Sequence, residues 1–211
     1  MGGFLRCLVG VVSLLAAFHA RADSIFADSA QFHAALAVPP SFEGFEGLLV
    51  PLGTSPIPVG DLTATGGPAS HIGISDTPVN GLHPTEGSNF LFWDALVTDA
   101  TITFVFESPI RAFGVEFNDA LDGLGGVLSL ETETGVSFPS FLSGTFPSGD
   151  EQFVGIIADA PFLELTLTNS SGTDGVAFDA LSYSPIPEPT THLLSLLGTL
   201  GLALVRNSCL R

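Results

Sequence analysis

Between Ser41 and Tyr183 apolar residues recur at every second position in short runs, and Gly, Pro, Asp, Asn and Ser close those runs. A period of two is that of an extended chain, whose successive side chains point to opposite faces. The clearest runs are Phe42–Glu46, Asn89–Trp93, Thr101–Phe106, Arg111–Phe117, Val127–Glu133, Gln152–Ile157, Phe162–Thr168 and Val176–Tyr183. Weaker ones cover Asp61–Thr65, Ser70–Ile74 and Val136–Phe141. In the Thr101 run, Ile102, Phe104 and Phe106 share a face; in the Phe162 run, Leu163, Leu165 and Leu167 oppose Phe162, Glu164, Thr166 and Thr168. Strands of this kind pack one face on a core and leave the other wet. Many of them in series predict an all-β domain over residues 23–184, an antiparallel β-sandwich of jelly-roll type. One segment reads as helical: Ser24–Leu36, with Ser29 as cap, Phe32, Ala35 and Leu36 on one side, and Pro39-Pro40 as the stop. The Pro/Gly-rich stretch Leu48–Pro58 reads as a loop.

The two ends break the alternation. Residues 1–22 carry one early cation, Arg6, an apolar stretch from Leu8 to Phe18, and small residues at Ala20 and Ala22. This is the pattern of a secretory signal peptide cut before Asp23, because the apolar run is too short for a permanent membrane helix. At the other end, Pro187-Glu188-Pro189 is a rigid break, since each proline fixes its own φ and pushes the residue before it out of the helical region. The apolar stretch His192–Val205 follows, then Arg206 and Arg211. Basic residues beyond such a span stay cytoplasmic, which leaves the domain outside.

That order of motif, apolar span and basic end resembles the PEP-CTERM sorting tail of Gram-negative bacteria. The resemblance implies recognition of Pro187, Glu188 and Pro189, with Leu193–Val205 as a transient anchor, by an exosortase that removes the tail. It also implies organisms that commonly make exopolysaccharide. The ending RNSCLR has fewer arginines than the family's usual cluster. The stretches FEGFE, SPIRAFGVEFND and VAFDALSY are similar to the opening, central and closing strands of β-sandwich domains often found before this tail.

Charge narrows the partners. Residues 23–183 hold 21 of the chain's 22 carboxylates against a single cation, Arg111, for a net charge of −20. Such a surface repels phosphate backbones and anionic lipid, so nucleic acid is excluded and the membrane is met only through the tail. It suits divalent, cationic or neutral partners. Both cysteines, Cys7 and Cys209, lie in the end segments, so the domain has no internal disulfide.

Catalysis finds no support. No metalloprotease, phosphate-loop, EF-hand or nucleophile-elbow motif is present, and His33, His71 and His83 have no paired spacing. Calcium takes carboxylate and carbonyl oxygens held on turns, and two groupings offer them. One is Asn118, Asp119 and Asp122 beside Gly123; the other joins Glu43 and Glu46 near the first strand to Asp174 and Asp179 near the last. Eighteen phenylalanines against one Trp and one Tyr make a core of rings without polar handles. A sugar platform then falls to Trp93 or Tyr183, both of which also fit as packed strand residues. The sequence therefore predicts a non-enzymatic, exported surface or matrix protein that associates with extracellular polysaccharide, with calcium as a structural ion. A secreted polysaccharide hydrolase and a purely structural coat protein are the alternatives.

Overall fold

A computed structural model describes residues 23–185 apart from 79, 122–125, 145–146, 148 and 171–173. The expected signal peptide, Asp122, the motif Pro187-Glu188-Pro189 and the tail after it lie outside the described residues. Among the described residues, no helix is long and apolar enough to cross a membrane.

Alternation has become strand almost throughout. In chain order the elements are β1 (Ser24–Phe26), α1 (Ser29–Ala35), β2 (Ser41–Glu43), β3 (Ile57–Val59), β4 (Leu62–Gly66) and β5 (Ser70–Ser75). They continue as β6 (Phe90–Ala95), β7 (Ala100–Asn118), β8 (Gly126–Thr132), β9 (Ser137–Gly144), β10 (Glu151–Asn169) and β11 (Asp174–Pro185). All pairings are antiparallel.

Two layers are built because β7 and β10 belong to both. Each is 19 residues long and breaks the register of its pairing near proline, β7 around Ser108-Pro109 and β10 around Ala160-Pro161. The first half of β7 pairs with β4 and with the second half of β10, which pairs onward to β8 and β9. The second half of β7 pairs with β11 and with the first half of β10; β6 and β5 extend this layer past β11, and β1 closes its other side. The sequence splits β7 and β10 into two runs each, since Pro reads as punctuation. In the structure each proline falls at the corner where its strand changes layers, so no ladder is lost within either layer.

Inward rings join the layers. Phe104 of β7 meets Phe178 of β11 edge-on at 5.9 Å, and Phe117 meets Phe141 of β9 at 5.9 Å. Each fully buried ring contributes about 1.5–3 kcal/mol of burial free energy. Trp93 belongs to this interior: it is 0% exposed and stacks on Phe178 at 5.9 Å. Trp93, expected as a sugar platform, does not fill that role, because its face is covered by the core. Tyr183, 7% exposed, packs its ring against Phe106 and still lines a cleft beside the corner of β7.

The helix is shorter than its pattern suggested. Ser24–Phe26 pairs with β10 as β1, and the cap is Asp28, whose Oδ1 accepts the Gln31 N–H at 2.8 Å. An aspartate carboxylate answers a helix N-terminus better than the neutral Ser29 hydroxyl does. Phe32 anchors the helix on the outer face of the second layer, over Gly114 and Gly155, where a β-carbon would come within 2.8 and 2.6 Å of its ring. The predicted strand Phe42–Glu46 is likewise cut short at Glu43, because Phe45 turns the chain with φ 61°. Within the predicted loop Leu48–Pro58, Ile57–Val59 forms a short strand on β4.

Candidate functional site

The structure gives the carboxylates singled out from sequence backbone duties. Asp179 sits beside a bulge in β11 where Ala180 takes φ 48°, and it is 1% exposed. One of its oxygens accepts the Thr85 and Glu86 N–H groups at 2.8 Å each, and the other accepts Ala180 N–H at 2.8 Å. Burial pushes its carboxyl up to about 6, against those hydrogen bonds, which pull it down. Asp179 thus latches the loop between β5 and β6 onto the sheet.

The FEGFE stretch forms the other half of that latch. Glu43 accepts the Phe45 N–H at 2.7 Å, which closes the turn and seats Phe45 in the core. Glu46 accepts the Ser88 and Asn89 N–H groups at 2.6 and 3.1 Å, and Asn89 returns its amide to the Leu48 carbonyl. Gly87, at φ +61°, leaves room for Glu46, whose Oε1 would lie 2.0 Å from a β-carbon there. These oxygens do the work of backbone partners, since buried N–H groups must be paired.

At the end of β7, Asn118 is fully buried. Its carbonyl oxygen accepts the His83 N–H at 3.0 Å, and its amide donates to Gly149 O at 3.2 Å and to His83 Nε2 at 3.1 Å. His83 Nδ1 donates to Gly81 O at 2.8 Å, and Glu151 Oε1 lies 3.3 Å from Nε2. Asp119, with φ 60°, accepts the Gly149 N–H at 2.7 Å. Asp174 accepts the Leu121 N–H at 2.8 Å. Both sequence-predicted cation groupings are therefore loop anchors where they are described. Among the described residues no three His, Cys, Asp or Glu side chains gather in a way that would hold a metal ion.

The feature that sequence reasoning missed is a trough on the outer face of the second layer. Residues Val50–Gly53 run along the free edge of β5, with Val50 and Ile74 exchanging hydrogen bonds at 3.0 and 2.9 Å and Gly53 N–H reaching Ile72 O at 3.0 Å. Gly73 permits this approach, since a β-carbon there would lie 2.9 Å from the Leu52 backbone. The resulting open groove of about 440 Å³ is lined by Leu49, Val50, Leu52, Ile74, Ser75 and Phe92 among others. Leu49 and Leu52 stand 64% and 48% exposed. Phe92 is half-buried against Leu82, Phe90 and Ala177. Its neighbours Leu91 and Trp93 face the core, so the alternation showed an aromatic at 92 on one face without showing which face was inner.

No family model and no curated protein matches this chain. Solved structures of similar outline include the C-terminal family 22 carbohydrate-binding module of Clostridium thermocellum Xyn10B, at TM-score 0.46 and 13% identity over 69% of this chain and 92% of that one. Another is a variant of the family 29 module CBM29-2 complexed with mannohexaose, at TM-score 0.43 and 10% identity over 70% and 93%. A third is the K2 cleaved adhesin domain of Lys-gingipain, at TM-score 0.44 and 11% identity over 69% and 97%. At these values the likeness carries neither a ligand nor a mechanism across.

Proposed function

We propose that the chain is an exported surface or matrix protein, sorted by an exosortase through Pro187, Glu188 and Pro189, whose β-sandwich holds extracellular polysaccharide without cleaving it. The observation that carries the binding half is the lining of the trough. It offers apolar walls, the half-buried ring of Phe92, backbone groups and the oxygen of Ser75, whose hydroxyl donates to Thr77 O at 3.3 Å and accepts the Thr77 N–H at 3.1 Å, and it includes no titratable side chain. Glycoside hydrolysis requires two carboxyl groups facing across the scissile bond. A site lined this way holds a sugar by ring contact and hydrogen bonds and has no group to move a proton. The net charge of −20 over residues 23–183 turns away anionic polymers, which leaves neutral or cationic glycans.

The coat-protein alternative needs free strand edges. Among the described residues, β1 and β3 are three residues long, the β5 edge is occupied by Val50–Gly53, and β9 carries Pro139. These features oppose edge-to-edge assembly.

The test is a pull-down of the exported protein on the exopolysaccharide of its own organism, in calcium and in EDTA, followed by sizing of the polymer. Retention with unchanged chain length is expected. Retention lost only in EDTA assigns calcium a bridging part. No retention in either buffer overturns the proposal, and a shortened polymer replaces it with the hydrolase reading.

A further inference from the structure

A second cleft shares no lining residue with the trough. It measures about 190 Å³, a size suited to one sugar ring, and it lies where the corner of β7 meets the end of β11. Phe106 and Tyr183 form its aromatic wall, their ring centroids 5.2 Å apart, and Asp61, Glu107, Ser41 and Ser108 line it with polar groups. Tyr183 is only 7% exposed. Its phenol oxygen accepts the Asp61 N–H.

The field in the cleft is negative. Burial first, and then Asp61, Glu43 and Glu107, push the Tyr183 phenol above its usual range. Among the described residues no Lys or Arg answers these carboxylates. Arg111, the domain's single Lys or Arg, lines a different hollow with Ala112 and Ser184. Aromatic rings beside carboxylates in a partly closed cleft are the chemistry that selects an organic ammonium group. The phenol hydroxyl, lining the cleft, is a donor for a neighbouring oxygen on the same ligand.

We infer that this cleft binds an amino sugar through its ammonium group, which sits against Asp61, Glu107 and the Phe106–Tyr183 wall while an adjacent hydroxyl oxygen accepts the Tyr183 proton. This rests on the glycan-binding reading and names the class of sugar. A neutral sugar leaves the carboxylates unanswered, and an acidic one is repelled. A bare metal ion makes no use of the aromatic wall.

Tyr183 is the only tyrosine in the chain, so its ultraviolet difference spectrum reports this cleft alone. The full chain is titrated at pH 6 with glucosamine oligomers, with their N-acetylated counterparts, and with calcium, at constant ionic strength. Glu107→Gln and Asp61→Asn are compared with Glu131→Gln, which removes the same charge from the exposed face of β8. The expected result is a saturable Tyr183 signal with the amine oligomer, weakened at least tenfold by Glu107→Gln or Asp61→Asn and unchanged by Glu131→Gln. Equal weakening by all three variants reduces the effect to general attraction and overturns the inference. So does equal binding of the acetylated oligomer, or a calcium signal that the amine cannot displace. If the oligomers fail while exopolysaccharide is still retained, the cleft assignment falls and the glycan reading stands. If the oligomers bind at Tyr183 while the exopolysaccharide does not, the reverse holds.

Discussion

At Gly155 a single added methyl group should do large damage for little change in chemistry. A β-carbon there would lie 2.6, 2.9 and 3.0 Å from Cδ2, Cγ and Cε2 of Phe32. That ring is 0% exposed and is clamped by Phe26 and Phe153 at centroid distances of 5.8 and 5.5 Å. It therefore cannot swing away without lifting α1 from the sheet. Overpacking of this kind costs about 1–3 kcal/mol. In a domain of this size each kcal/mol moves the melting temperature by about 2–4 °C, so Gly155→Ala should lower it by about 2–12 °C. The sharper test is a double-mutant cycle with Phe32→Ala, which by itself should cost about 3–5 kcal/mol. With the ring gone the new methyl group has room, so adding Gly155→Ala to Phe32→Ala should cost almost nothing. Urea unfolding followed by Trp93 fluorescence measures all four proteins. A Gly155→Ala penalty of the same size in both backgrounds would refute the claim that the two glycines exist to seat Phe32.

Three further outcomes are expected. Because the Asp179 carboxyl is raised to about 6 in the fold against 3.8 ordinarily, the folded state holds a proton that the unfolded state has lost between those values. Its contribution to stability therefore falls as pH rises from about 4 to about 6 and is level above that. Asp179→Asn should remove this decline, so that the stability difference between wild type and variant changes across that window; a constant difference contradicts the assignment. Glu46→Ala should strip the partner from the Ser88 and Asn89 amides and destabilise by about 1–3 kcal/mol, with faster hydrogen exchange at those two amides than at the β7–β10 ladder. Uniform exchange throughout would count against the latch. The single tryptophan, Trp93, should emit as a buried indole and resist quenching by acrylamide, with or without polysaccharide; ready quenching would place it at the surface.

Strand positions were legible because half-buried strands write their burial into the sequence as alternation. Ile102, Phe104 and Phe106 all proved to face the core, as their shared parity predicts. Layer membership was not legible, because nothing local to Ser108-Pro109 tells a corner from a strand end. β1 and β3, at three residues, are shorter than any periodic signal. The carboxylates at 43, 46 and 179 were visible as unusual, and their spacing suggested a shared cation. What sequence could not show is that backbone N–H groups from residues 45, 85, 86, 88, 89 and 180 already meet them. The trough stayed hidden for a related reason. Leu49, Val50 and Leu52 read as loop residues among Pro and Gly, and only the pairing of residues 50–53 with β5 brings them toward Phe92.

The central claim, that the outer trough holds polysaccharide without turning it over, is met most directly by one comparison. Wild type and Phe92→Ala are applied to immobilised exopolysaccharide, with Val105→Ala, an exposed apolar position on the other layer, as the matched control. Thermal melts confirm that each is folded, and the eluted polymer is sized. About tenfold weaker retention is expected for Phe92→Ala, a loss of about 1.4 kcal/mol, with Val105→Ala unchanged and the polymer intact. Equal retention of all three proteins, or a shortened polymer with wild type, would contradict it.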